Sequence, residues 1–211
     1  LSSYIERAEK VVVITHMHPD GDAAGSTAAL AHYLQDFRHK NVSLIREPLP
    51  DTISFIDEHF TPVSGDKARE VLKEADLIFC TDFGVLDRCG EYARELAESK
   101  AIKVLADHHP EPQAEAFDLL FSSSELSSAS EIVYQLLKGL CRDEEERKAL
   151  LGGACGYALM CGMTTDTNNF SCSTFPSTLM MASELLAYGI NRDEILEKLY
   201  NRYRENRVRA F

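Results

Sequence analysis

The residues best able to do chemistry fall in four short groups. The first, His16-Met17-His18-Pro19-Asp20-Gly21-Asp22, places imidazoles and carboxylates in one run. The second is Asp82, with Arg88 a little further on, and the third is Asp107-His108-His109-Pro110. The fourth is Thr164-Thr165-Asp166-Thr167, followed by Asn168-Asn169-Phe170. Carboxylate and imidazole donors suit a hard cation that tolerates nitrogen. Two adjacent histidines point different ways, so one can take a metal while the other meets a substrate, with Asp107 fixing a ring from behind. Each group also has a plainer reading. Pro19-Asp20-Gly21 is a turn with Asp22 as a helix cap, Asp82 is a turn acid, and the threonine-rich group ends a helix. Jointly, they supply the donors that a two-metal site requires. Two divalent ions about 3.5–4 Å apart can polarise a phosphoryl group, activate a bridging water and steady the attacking and leaving oxygens.

Short apolar runs alternating with amphipathic stretches predict the elements that would position these groups. Strands are expected at Val11–Thr15, Val42–Ile45, Leu77–Cys80, Ile102–Leu105 and around Phe117–Phe121, with helices over Ala23–Gln35, Lys67–Glu74 and Asp87–Ser99. That alternation gives an α/β fold, a parallel sheet with helices on both faces. Three of the four groups then follow strands, at the end of an open sheet where ligands collect. After the serine-rich segment Ser122–Ser130, read as a loop ending in a helix cap before Glu131, helices dominate. They are expected at Ala129–Leu140, Glu144–Cys161, Pro176–Tyr188 and Arg192–Asn201. The arginine-rich end, Tyr200 to Phe211, reads as a helix leaving the domain.

Composition narrows the partners. In 211 residues the net charge is −12, which argues against an extended duplex nucleic acid, because duplex binding needs clustered Lys and Arg. Bound cations can still supply local positive charge for a phosphate. Six cysteines without CxxC spacing read as reduced thiols of a cytoplasmic protein. A long uncharged run, Ala149 to Thr165, carries four glycines and reads as a packed helix, so no membrane is expected as partner. No signal peptide opens the chain, and a start at Leu1 without Met reads as trimmed.

The order and spacing His16-x-x-x-Asp20-x-Asp22, Asp82, Asp107-His108-His109 and Thr165-Asp166-Thr167 with Phe170 resembles the DHH phosphoesterases. Within them it is similar to the branch of oligoribonucleases that also dephosphorylate 3′-phosphoadenosine 5′-phosphate. The resemblance runs from about residue 10 to residue 175. It implies two divalent cations, manganese foremost, with magnesium or cobalt as substitutes. One would be held by His16, Asp20 and Asp82, the other by Asp22, Asp82, His108 and Asp166, with Asp82 bridging. His109 would contact the substrate phosphate, with Arg88 and His18 as further substrate-binding residues, and Asp107 would orient. A metal-bridging hydroxide would then attack a short oligoribonucleotide, a dinucleotide or a nucleoside 3′,5′-bisphosphate.

Relatives usually have Gly where this chain has Asn168, a position expected to need a turn conformation that Asn tolerates. They often have a basic residue where it has His18. The branch also carries a C-terminal domain with a substrate loop. Residues 1–200 are therefore expected to form the catalytic domain and 201–211 the start of a linker helix to a missing domain. A homodimer is left open. Two other functions also stay open: a phosphoanhydride hydrolase acting on polyphosphate or pyrophosphate, and a non-catalytic nucleotide-sensing module.

Overall fold

The computed structural model describes residues 1–201, so all but the first residue of the expected linker start, 201–211, lies outside the described residues. In chain order the elements are α1 (Ser2–Arg7), β1 (Lys10–Thr15), α2 (Gly21–His32), β2 (Asn41–Ile45), α3 (Gly65–Glu74), β3 (Leu77–Thr81), α4 (Ala93–Glu98), β4 (Ile102–Asp107) and β5 (Leu119–Ser122). Helices α5 (Ala129–Leu140), α6 (Glu144–Leu151), α7 (Ala154–Asp166), α8 (Pro176–Ala187) and α9 (Arg192–Leu196) follow. All strand pairs are parallel, in the order β2-β1-β3-β4-β5. The chain therefore steps one way from β1 to β2 and the other way to β3, which opens a crevice between β1 and β3 at the carboxyl edge.

Buried strand residues alternate between two cores, as a pleated strand covered on both faces requires. Val11, Val13, Leu77, Phe79, Val104 and Ala106 pack with α2, α5, α7 and α8 on one face. Val12, Ile14, Ile78, Cys80 and Leu105 pack with α3, α4 and the 86–92 segment on the other. Each of the Val, Leu, Ile and Phe side chains contributes roughly 1.5–3 kcal/mol of burial, which helps to hold the carboxyl edge in place under the site.

The structure differs from the sequence reading in several places. The stretch expected as one helix over Glu144–Cys161 is two, α6 and α7, separated at Gly152 and Gly153, and Thr164-Thr165-Asp166 forms the last turn of α7 rather than a turn beyond it. Residues 86–92 form tight helical turns with a kink at Gly90 (φ 59°, ψ −122°), not the start of one helix over Asp87–Ser99. The last strand lies at Leu119–Ser122, slightly beyond the expected run. Helix α2 starts at Gly21, with Asp20 as its cap, because the Asp20 carboxylate accepts from Asp22 N and Ala23 N.

Candidate metal centre

The registers align Thr15 with Thr81 and Thr81 with Ala106, so His16, Asp82 and Asp107 leave the three central positions of the sheet side by side. Asp82 ends β3 in the left-handed region (φ 63°), with its N–H held by the Ala106 carbonyl at 3.0 Å. For a non-glycine residue that conformation costs on the order of 1 kcal/mol and persists only where the surroundings enforce it. Here it swings a buried carboxylate into the crevice.

His16 is buried, and its Nδ1 lies 2.7 Å from the Met17 carbonyl. A carbonyl only accepts, so Nδ1 carries a proton, and Nε2 faces Asp82 Oδ2 at 3.3 Å. The other Asp82 oxygen, Oδ1, lies 3.7 Å from His108 Nε2, which is itself 3.6 Å from Asp166 Oδ2. Donor atoms of His16, Asp20 and Asp82 lie within 4.8 Å of one another, as do those of Asp22, His108 and Asp166 and those of Asp82, His108 and His109. These groups could hold metal ions. His109 donates Nδ1–H to Asp107 Oδ1 at 2.7 Å, which leaves its Nε2 toward solvent. Asp107 is fully buried, and its Oδ2 has no partner.

Two helices bring the remaining acids in. Helix α2 meets α7 at glycines: a Cβ on Gly25 would lie 2.5 Å from the Ala158 carbonyl and 2.9 Å from Gly162 Cα, and one on Gly21 would strike Thr165. That close approach sets Asp22 on α2 beside Asp166 on α7. The Asp22 carboxylate also accepts from Ala129 N at 2.6 Å and Ser130 N at 2.9 Å, at the start of α5.

Electrostatics fit a missing positive charge. Burial, then the Asp166 charge, pushes Asp22 up to about 6, and burial, then Asp20, pushes Asp166 up to about 6. Burial and the Asp22 and Asp20 charges also raise Asp82. Among the described residues, the ion pairs of Asp82, Asp107 and Asp166 are with histidine alone, and no Lys or Arg pairs with Asp20 or Asp22. Burial lowers His108, which keeps it neutral as a ligand must be, whereas the hydrogen bond to Asp107 raises His109. Hard oxygens with neutral imidazole are the donors expected for a divalent ion of the manganese type.

The other expected residues lie at the margin. Arg88 is exposed, its carbonyl accepts from Met17 N at 2.8 Å, and its charge opposes protonation of His109. The His18 ring is 86% exposed, belongs to none of the donor groups, and has Nδ1 3.1 Å from Glu47. Asn168 adopts φ 43°, as the turn requirement predicted, and Asn169 and Phe170 continue in the same region. Sequence reasoning missed Glu47, the Met17 carbonyl and the α5 amides. Only the last had a signal, the Ser127–Glu131 cap, which marked the helix start but not what it faces.

An α/β sheet with Asp and His side chains gathered at its switch point has donors that could hold cations at the carboxyl edge. The chain belongs to the DHH family of phosphoesterases: the family model described as DHH family, N-terminal domain, matches residues 10–163, a stretch that stops short of Asp166. It is 28% identical over 195 residues to the bifunctional oligoribonuclease and PAP phosphatase NrnA of Bacillus subtilis (strain 168), covering 91% of this chain and 57% of that protein. It is 25% identical over 197 residues to a probable manganese-dependent inorganic pyrophosphatase of Streptococcus agalactiae serotype Ia, covering 88% and 58%. Among solved structures it is similar to an exopolyphosphatase-related protein from Bacteroides fragilis, with TM-score 0.88 and 33% identity over 99% of this chain and 61% of that one. The chain thus spans less than two thirds of the length of these relatives.

Proposed function

We propose that this chain is a two-metal phosphoesterase that hydrolyses short oligoribonucleotides, dinucleotides or nucleoside 3′,5′-bisphosphates. The observation that carries the reading is the Asp82 carboxylate, one oxygen facing His16 and the other facing His108, each among a separate set of donors. His16, Asp20 and Asp82 would hold one ion, and Asp22, Asp82, His108 and Asp166 the other. Manganese is supported by the donor set and by the name of the Streptococcus relative, a probable manganese-dependent inorganic pyrophosphatase. When bound, the ions supply Lewis acidity and a nucleophile available near neutral pH.

The chain's own residues do the rest. Asp107 locks the His109 ring, and the raised basicity that follows lets His109 present a proton at Nε2 to a substrate phosphate. Arg88 adds a positive charge at the same rim, and His18, held by Glu47, faces solvent where a substrate would enter. At net charge −12, only a short substrate gripped locally is favoured. The similarity to the NrnA relative supports this substrate class.

Asp82→Asn is the sharpest test, since Asn tolerates the left-handed backbone where Ala would be strained. With saturating manganese, turnover of a dinucleotide should fall at least about 10³-fold, given the several kcal/mol that metal chemistry supplies. Near-normal turnover would sink the two-metal reading. A parallel assay with pyrophosphate and polyphosphate decides against the phosphoanhydride alternative if the dinucleotide or bisphosphate is the better substrate. Metal binding with no turnover of any substrate would favour a sensor.

A further inference from the structure

Asp22 does not reach the centre as a free side chain. It is buried, and each of its oxygens already accepts one backbone amide, Ala129 N and Ser130 N, from the first turn of α5. An oxygen with one lone pair given to an amide keeps the other for a cation, so those two amides set the direction in which Asp22 can bind. They keep that direction only while the turn from Ser127 to Glu131 keeps its shape.

Glu131 is what shapes it. Its Oε2 accepts from Ser127 N at 2.9 Å and Ser127 Oγ at 2.6 Å, while Ser128 Oγ accepts from Glu131 N at 3.0 Å, a reciprocal cap. The same oxygen accepts from Thr178 Oγ1 at 2.8 Å, and Thr178 in turn accepts from Phe175 N at 3.1 Å at the start of α8. Helix α8 follows the loop that leaves Asp166, so one carboxylate ties the helix start behind Asp22 to the element after Asp166. Glu131 is fully buried, its other oxygen has no partner, and no Lys or Arg among the described residues pairs with it. An ordinary helix cap does its work at the surface, without the cost of burying a carboxylate that no cation neutralises. The space around Ser130 and Asp22 has no slack, since a Cβ on Gly162 would sit 2.1 Å from Ser130 Oγ and 3.0 Å from Asp22 Oδ1.

We propose that Glu131 is a positioning residue of the metal centre: it fixes the helix-start amides that aim the Asp22 carboxylate at its cation. The proposal rests on the reading of Asp22 as a ligand, and Asp22→Asn separates the two. Manganese affinity is measured by calorimetry on the 211-residue chain, below the melting temperature of each variant, with thermal melts alongside. Asp22→Asn and Glu131→Ala should each weaken binding about 10- to 100-fold, the usual effect of losing a ligand or the group that orients it. Glu131→Gln should bind within about threefold of the parent, because its amide oxygen can accept the same donors while the NH2 takes the place of the unpartnered oxygen. If Glu131→Ala does not fold, Ser127→Ala removes one of the three donors, and affinity should fall about threefold to tenfold. A Glu131→Ala protein that melts earlier yet binds manganese like the parent, or a Ser127→Ala protein of unchanged affinity, overturns the positioning role. Unchanged affinity in Asp22→Asn overturns the ligand reading beneath it.

Discussion

The acids of the centre show how a residue can be folded against its own preference. Asp22 and Asp166 are both raised to about 6, burial being the first cause in each case. A carboxyl group held above its unfolded value binds its proton more tightly in the folded chain. It therefore adds stability below the unfolded pKa and loses it as pH rises through the folded one. In metal-free protein this contribution should decline between about pH 4 and pH 6, and Asp166→Asn should flatten the decline. Manganese should reverse the trend, since ionised carboxylates are what the ion binds. Melts of both proteins from pH 4 to 7, with chelator and with manganese, read this out, and identical metal-free pH profiles would contradict it. Residue types made these acids visible in the sequence, since an Asp or His after a buried run announces itself. The left-handed backbone at Asp82 and the amides that hold Asp22 did not, because both depend on residues distant in the chain. The plainer reading made Asp22 the helix cap, but Asp20 caps α2 through one oxygen while it also belongs to a donor group.

At the scale of elements, the strands were legible because burial on both faces leaves uninterrupted runs such as Val11 to Ile14 and Leu77 to Cys80. The break between α6 and α7 was not, because the apolar character continues through it while two glycines turn the chain. Helix α7 is buried on nearly every side, so no amphipathic stripe marks where it ends, and its extension to Asp166 could be seen only in three dimensions. The contact that matters most between helices is also silent in the sequence. Gly25 lets α2 touch α7, and its absent side chain is the reason Asp22 reaches Asp166. Gly25→Ala would put a methyl group 2.5 Å from the Ala158 carbonyl and 2.9 Å from Gly162 Cα, backbone atoms that cannot turn aside. The helices must part, at a cost of about 1–3 kcal/mol. For a domain of this size, each kcal/mol lowers the melting temperature by about 2–4 °C. Manganese affinity should fall together with the melting temperature, because the same displacement separates two acids of one donor group. Loss of stability with intact affinity would show that the α2–α7 contact serves packing alone.

For the whole molecule, the donor groups come from the ends of β1, β3 and β4, the start of α2 and the end of α7, so a bound pair of ions would fasten the sheet to the helical layer above it. All these residues lie between His16 and Asp166, within the described chain, and manganese binding should therefore be a property of the 211 residues as they stand. A ligand that binds only the folded state stabilises it by about 2.7 kcal/mol at 100 times its dissociation constant. At about 2–4 °C per kcal/mol, the melting temperature should rise by roughly 5–11 °C. Screening does not explain such a rise: at equal ionic strength sodium chloride relieves the repulsion within a chain of net charge −12 mainly between exposed charges, and Asp22 and Asp82 are buried. Asp82→Asn should remove most of the shift, since that carboxylate faces both remaining donor sets, whereas its metal-free melting temperature should match or exceed that of the parent once one of the crowded charges is gone. The measurement is a thermal titration of both proteins with manganese, with sodium chloride as the control. An equal shift in the two proteins would place the stabilising ions somewhere other than the crevice between β1 and β3.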